Sequence, residues 1–126
     1  MPGDIALFSI QVLVCPMVKF VILFHKPDDL DQFENSYNHF LMLVETMPQV
    51  KRRQVSSVLG SPMGETDLYR ALEVYFDDYA ELDQALKSSA GQEAGRELVR
   101  RFPAPTFQMY FADVFEEAGA QTEVST

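Results

Sequence analysis

The sequence predicts an α+β domain in which strands and helices follow the order βαββαβ. Three observations carry this. Val18 to His25, VKFVILFH, is a short, nearly unbroken apolar run rich in branched and aromatic residues, the pattern of a strand buried on both faces. Leu68 to Phe76, LYRALEVYF, alternates between two faces as a strand does. Between and after these runs lie segments whose apolar residues recur at three- and four-residue steps, the period of a helix.

Each element has its own boundaries. The first strand stops at Lys26-Pro27, and Asp28 and Asp29 then open a helix. Leu30, Phe33, Tyr37, Phe40, Leu41, Val44 and Met47 form its core stripe, and Pro48 closes it. Lys51 to Leu59, KRRQVSSVL, reads as a more polar strand, followed by the turn GSPMGETD. In the third strand Leu68, Leu72, Val74 and Phe76 share one face, and Tyr69, Ala71, Glu73 and Tyr75 share the other. Asp78 and Glu81 are spaced as a capping box ahead of Leu82, Ala85 and Leu86. Ser89 with Gln92 caps a second short helical piece through Leu98 and Val99, and Phe107 to Phe115 is the last strand. This is the ferredoxin-like arrangement, whose helices cover one sheet face only. The uncovered face carries Val21, Leu23, Tyr69 and Tyr75, an apolar patch of the kind that marks an interface. A second copy packed sheet to sheet, as a two-fold homodimer, is the expected cover.

The chain of 126 residues fits one domain with an independent core. Its 19 acids against 10 bases give a net charge of -9, which argues against nucleic acid and against an anionic membrane surface as partners. Cys15 is the one cysteine, so an intramolecular disulfide is excluded, and it has no local activating motif. Ile5 to Val14 is apolar but far shorter than the ~20 residues that span a bilayer, and Asp4 stands where a signal peptide carries positive charge. Residues 1–16 therefore read as an appendage or an added strand, 17–117 as the domain and 118–126 as a polar tail, with a cytoplasmic location.

MVKFVILFHKPDD, the step from Tyr37 to His39 with its Leu/Met-rich run to Pro48, VSSVLGSP, YRALEVYFDDYAELDQAL and SSAGQEAG follow one another in an order that resembles the EthD family. These small proteins are named after a component of ethyl tert-butyl ether degradation loci. The resemblance covers roughly Met17 to Glu117. It implies a dimeric α+β barrel related to antibiotic-biosynthesis monooxygenases and muconolactone-isomerase-like proteins, and an oxidoreductase label. Family members often show a histidine, one residue, then proline in this helix. Here Leu41 stands at the proline position, and Gln49 follows Pro48.

His39 and Glu73 are the candidate catalytic residues. Imidazole exchanges protons near neutral pH, and His39 lies on the helix flank with Ser36, Met42 and Leu43. The alternative is a half-exposed histidine bonded to water or backbone. Glu73 falls between Ala71 and Tyr75 on the barrel-facing side, where an unpaired charge is costly. Either Arg53, Arg70 or a dimer mate pairs with it, or burial raises its pKa for acid–base work. His25 at the end of the first strand, Tyr69, Tyr75, Tyr110 and Arg53 are candidate ligand contacts. There is no H-x-x-x-H, C-x-x-C or calcium-loop spacing, so no metal is expected. GSPMG lacks the strand-to-helix context of a phosphate loop, so no nucleotide or flavin cofactor is expected. Two functions follow: a barrel that binds a small hydrophobic or aromatic metabolite, as an oxidoreductase or accessory protein of a degradation pathway, or a cofactor-independent isomerase, cyclase or monooxygenase. A non-catalytic structural or regulatory dimer is the third.

Overall fold

The computed structural model describes residues 17–115. The readings of 1–16, of Cys15 and of the tail from 118 lie outside the described residues. Four strands, β1 (Met17–His25), β2 (Arg52–Ser57), β3 (Leu68–Phe76) and β4 (Phe107–Val114), form an antiparallel sheet in the order β2-β3-β1-β4. Helix α1 (Leu30–Val44) connects β1 to β2, and α2 (Tyr79–Lys87) and α3 (Ser89–Arg101) connect β3 to β4 through a short 3-10 turn (Ala104–Thr106). This is the ferredoxin-like βαββαβ fold, with β1 central and therefore apolar on both faces. Among the described residues no helix is long and apolar enough to cross a membrane.

The register assigns the faces. Val18, Phe20, Ile22 and Phe24 of β1 lie opposite Phe76, Val74, Leu72 and Arg70 of β3, and this set faces the helices. Phe33, Tyr37, Phe40, Val44 and Met47 of the α1 stripe are buried against it, as the spacing requires. Leu30 is the exception at 54% exposure, because the first turn overhangs the sheet end. Helix α1 also stops a turn before Pro48. Proline has no N–H for the Val44 carbonyl, and the chain closes instead with tighter bonds, Thr46 to Leu43 and Met47 to Val44.

The caps follow side-chain chemistry. Asp29 accepts from the Gln32 amide at 3.1 Å and Asp78 from the Glu81 amide at 2.9 Å. The last helix is capped by Ser88, one residue earlier than its sequence spacing suggested. The Ser88 hydroxyl, placed outside the helical turn, accepts from the Gly91 amide at 3.0 Å. The two glycines of α3 differ in kind. A Cβ at Gly91 would overlap the Ala85 carbonyl and sit 2.7 Å from the Leu86 oxygen, so only glycine lets α2 and α3 meet this closely. A Cβ at Gly95 would meet nothing within 4 Å.

These glycines give a paired test by denaturant unfolding. Gly91→Ala is expected to destabilise by about 1–3 kcal/mol through overpacking. Gly95→Ala is expected to stabilise by about 0.5–1 kcal/mol, since it relieves the helix of a glycine at no steric cost. Equal effects at the two positions would contradict this account of the helix junction.

Candidate functional site

The sheet separates the predicted residues into groups that do not meet. Glu73, Tyr75 and Tyr110 share the face turned away from the helices, with Lys19, Val21 and Leu23 of β1 between them. Glu73 is paired there, with neither Arg53 nor Arg70 but with Lys19, whose Nζ lies 2.6 Å from Oε1. The Tyr75 hydroxyl is 3.2 Å from both Glu73 Oε1 and Gln54 Oε1 and donates its one proton between them. Arg52 stacks on the Tyr75 ring with its guanidinium carbon 4.2 Å from the centroid. The bond to Glu73 pushes the Lys19 ammonium above its ordinary value. Val21 is only 2% exposed and Tyr75 is buried, whereas Tyr110 is 46% exposed. The centre of this face is thus a neutralised ion pair within apolar and aromatic residues.

Arg53 and Tyr69 lie elsewhere, which corrects the sequence reading. Arg53 is opposite Val74, so it turns to the helical side and pairs with Glu45 at 3.2 Å. Tyr69 is the extra residue of a β-bulge: Phe24 pairs with Arg70, and His25 with Leu68. The bulge breaks the alternation and turns Tyr69 to the same side as Arg70. Its hydroxyl donates to Glu34 of α1 at 2.9 Å, and Arg70 grips the same carboxylate with two bonds of 2.9 Å. Arg70 and Tyr69 together hold the Glu34 carboxyl below its usual range, the arginine bond acting most. The guanidinium also lies 4.6 Å from the Tyr37 ring centroid. The pair fastens the first half of α1 to the start of β3.

His39 stands on the outer layer, half-exposed, with Nε2 3.7 Å from Glu97 of α3. The body of the sheet lies between it and Glu73, so the two candidate catalytic residues are not brought together. Glu97 is buried and bonded to Arg100 and Arg101, which hold its carboxyl down to about 2. His39 therefore stands beside this Glu97 clasp, where α1 meets α3.

His25 is differently placed. It ends β1, where its Nε2 lies 3.1 Å from the Gln108 side-chain amide of β4. It also lines a cleft of about 330 Å³ at the end of the sheet, between the start of α1 and the end of α3. Phe33, Phe102 and Val99 give this cleft apolar walls, and Arg100 and Asp28 stand on its polar side. Ser36 is the residue that sequence reasoning passed over. It is 7% exposed and lines the cleft. The available signal was a small polar residue one step before Tyr37, inside the buried stripe of α1. Among the described residues, no group of three or more His, Cys, Asp or Glu side chains could hold a metal ion.

No protein-family model matches the chain. An uncharacterised 11.0 kDa protein in the thcB-thcC intergenic region of Rhodococcus erythropolis is 31% identical over 101 residues, covering 77% of this chain and 94% of that protein. The crystal structure of an ethyl tert-butyl ether d (EthD) family protein from Bacillus halodurans superposes with a TM-score of 0.72 at 30% identity, over 76% of this chain and 96% of that one. A dimeric ferredoxin-like protein of unknown function from Jannaschia sp. shares the fold at 16% identity and a TM-score of 0.60, over 78% of this chain and 99% of that one.

The Glu97 clasp has a pH dependence of defined sign. Its folded pKa of about 2 lies below the ordinary 4.5, so folding favours the charged carboxylate. That stabilisation is complete above about pH 5 and is lost as pH falls through the folded value. Thermal unfolding of the native chain and of Glu97→Gln should therefore differ most near neutrality and converge toward pH 2. A constant difference across that range would show that Glu97 does not act through its charge.

Proposed function

The chain belongs to the EthD family, and from that premise we propose that it is a homodimer whose protomers each bind a small, largely hydrophobic or aromatic molecule in the cleft beside His25. The observation that carries the reading is the cleft itself, where Ser36 sets one hydroxyl among apolar and aromatic walls. A ligand hydroxyl that meets Ser36 there gains a hydrogen bond worth about 0.5–1.5 kcal/mol. A volume of about 330 Å³ is at the small end of ligand sites and suits one ring with short substituents. Phe33 and Phe102 offer aromatic surface for that ring.

The open sheet face supplies the dimer in this reading. The Lys19–Glu73 pair is satisfied within one protomer, so burying it against a second copy leaves no charge without a partner. The Jannaschia protein of the same fold is described as dimeric, which supports the same assembly.

Chemistry on the bound molecule is a second reading, favoured by the Gln108 contact. With the amide nitrogen as donor, His25 Nε2 accepts and the neutral ring keeps its proton on Nδ1. A histidine held in one tautomer is prepared to pass a proton, the step an isomerase, a cyclase or a cofactor-independent monooxygenase requires. The oxidoreductase role implied by the family resemblance needs, in addition, a partner that gives or takes electrons. An accessory role in a degradation pathway needs binding alone.

Phenol titrated into isotope-labelled protein tests the site by NMR. The amides of Phe33, Ser36 and Phe102 should shift, and Ser36→Ala should weaken binding about fivefold, the value of one hydrogen bond. Shifts confined to Glu73, Tyr75 and Tyr110 would move the site to the sheet face and overturn the reading. Sedimentation checks the assembly: the native chain should be a dimer at micromolar concentration and Tyr110→Arg largely a monomer.

A further inference from the structure

We propose that the cleft accepts molecules with an apolar tail, and that the tail passes Val99 into a second, apolar pocket between the sheet and the helices. The inference rests on the reading of the cleft given above and names the ligand class more closely: a hydroxyl-bearing ring with an alkyl substituent.

Two spaces meet at one side chain. Val99 lines the 330 Å³ cleft, and it also lines an inner cavity of about 130 Å³. At 66% exposure it contributes little to the core and forms a rim common to the two. Their walls also touch behind it, where Phe102 of the cleft and Phe40 of the inner cavity have ring centroids 6.4 Å apart. The inner cavity is bordered by Ile22, Phe40, Val44, Leu98 and Met109, with no polar side chain among its lining residues. Such a lining favours apolar occupants.

Packing alone does not require the space. Interiors fill to near crystal density, and a void forfeits dispersion contacts on every wall. Gly95 borders the cavity and its missing Cβ would meet nothing within 4 Å, in contrast to Gly91, whose small size the α2–α3 junction demands. An alanine at this position would raise helix propensity. The glycine is explained by the room it leaves. In the resulting pose the ligand hydroxyl bonds Ser36, the ring lies against Phe33 and Phe102, and the alkyl chain follows Val99 toward Gly95.

The test is a homologous series of phenol, para-ethylphenol, para-propylphenol and para-butylphenol, titrated by calorimetry and NMR into the full chain. Affinity should rise about fourfold for each methylene that enters an apolar cavity, and the Ala94 and Gly95 amides should shift only with the longer members. In Gly95→Leu the ratio of butylphenol to phenol affinity should collapse. Val99→Phe, an exposed replacement that narrows the passage, should do the same and covers the case in which Gly95→Leu fails to fold. A flat series, or a steep one that neither variant changes, overturns the tail cavity. If phenol still shifts Ser36 in that case, the cleft reading survives. A series in which only the long members bind, still sensitive to Val99→Phe, supports the cavity and overturns the cleft reading alone. No binding by any member overturns both.

Discussion

The aromatic contact of Phe24 with its neighbours is the interaction on which the rest of the structure depends. Phe24 is 0% exposed at the helical face of β1, and its ring lies 5.4 Å from Phe33, 5.7 Å from Tyr37 and 5.1 Å from Phe102. One side chain of the central strand thus meets the first half of α1 and the residue that ends α3. Edge-on and tilted pairs of this kind contribute about 0.5–1.5 kcal/mol each beyond the area they bury. Two of the same rings, Phe33 and Phe102, then continue outward as walls of the cleft. The cleft is therefore held by the core itself, and its width is set by rings that cannot shift without loosening Phe24.

A second constraint acts through the bulge at Tyr69. Without the extra residue, Tyr69 would face away from the helices and Glu34 would lose one of its donors. With it, Tyr69 and Arg70 converge on one carboxylate, and the guanidinium covers the Tyr37 ring. The cost is visible beside it: Arg70 Nε and the Tyr37 hydroxyl are both buried without a protein partner among the described residues. Burial accordingly pushes the Tyr37 phenol above its ordinary pKa. A clamp with such costs is retained where position matters, and the helix it positions is the one that carries Phe33 and Ser36 to the cleft.

Much of the fold was legible because it rests on period and punctuation. The two-faced apolarity of VKFVILFH follows from the central place of β1, and the βαββαβ order follows from where the period changes. The candidate site was legible only in part, for reasons particular to each residue. Alternation is a rule for regular strands, so it misplaced Tyr69, which sits in a bulge that no local pattern announces. The partner of Glu73 is Lys19, 54 residues away and on its diagonal across the sheet, and choosing it over Arg53 or Arg70 needs the register. His39 and Glu73 are separated by the sheet that the sequence itself predicted, but the separation appears only once each is assigned a face. Ser36 was hidden by its ordinary chemistry: a serine on a helix flank carries no signal until the cleft it lines is seen.

Three of the places where this chain departs from the choices that would stabilise it most lie together. Ser36 is a polar residue beside the apolar stripe of α1, only 7% exposed. Gly95 is a glycine inside a helix with open space at its missing Cβ. Val99 is an apolar side chain left in solvent at the end of an amphipathic helix. Each costs on the order of 1 kcal/mol or less taken alone, well within what a domain of marginal stability tolerates. Here all three border one continuous region, from the cleft at His25 past Val99 to the cavity beneath the sheet. Under the proposed reading this region offers one hydroxyl at the head and hydrocarbon beyond it, and the three choices exchange a little stability for a place where a ligand fits.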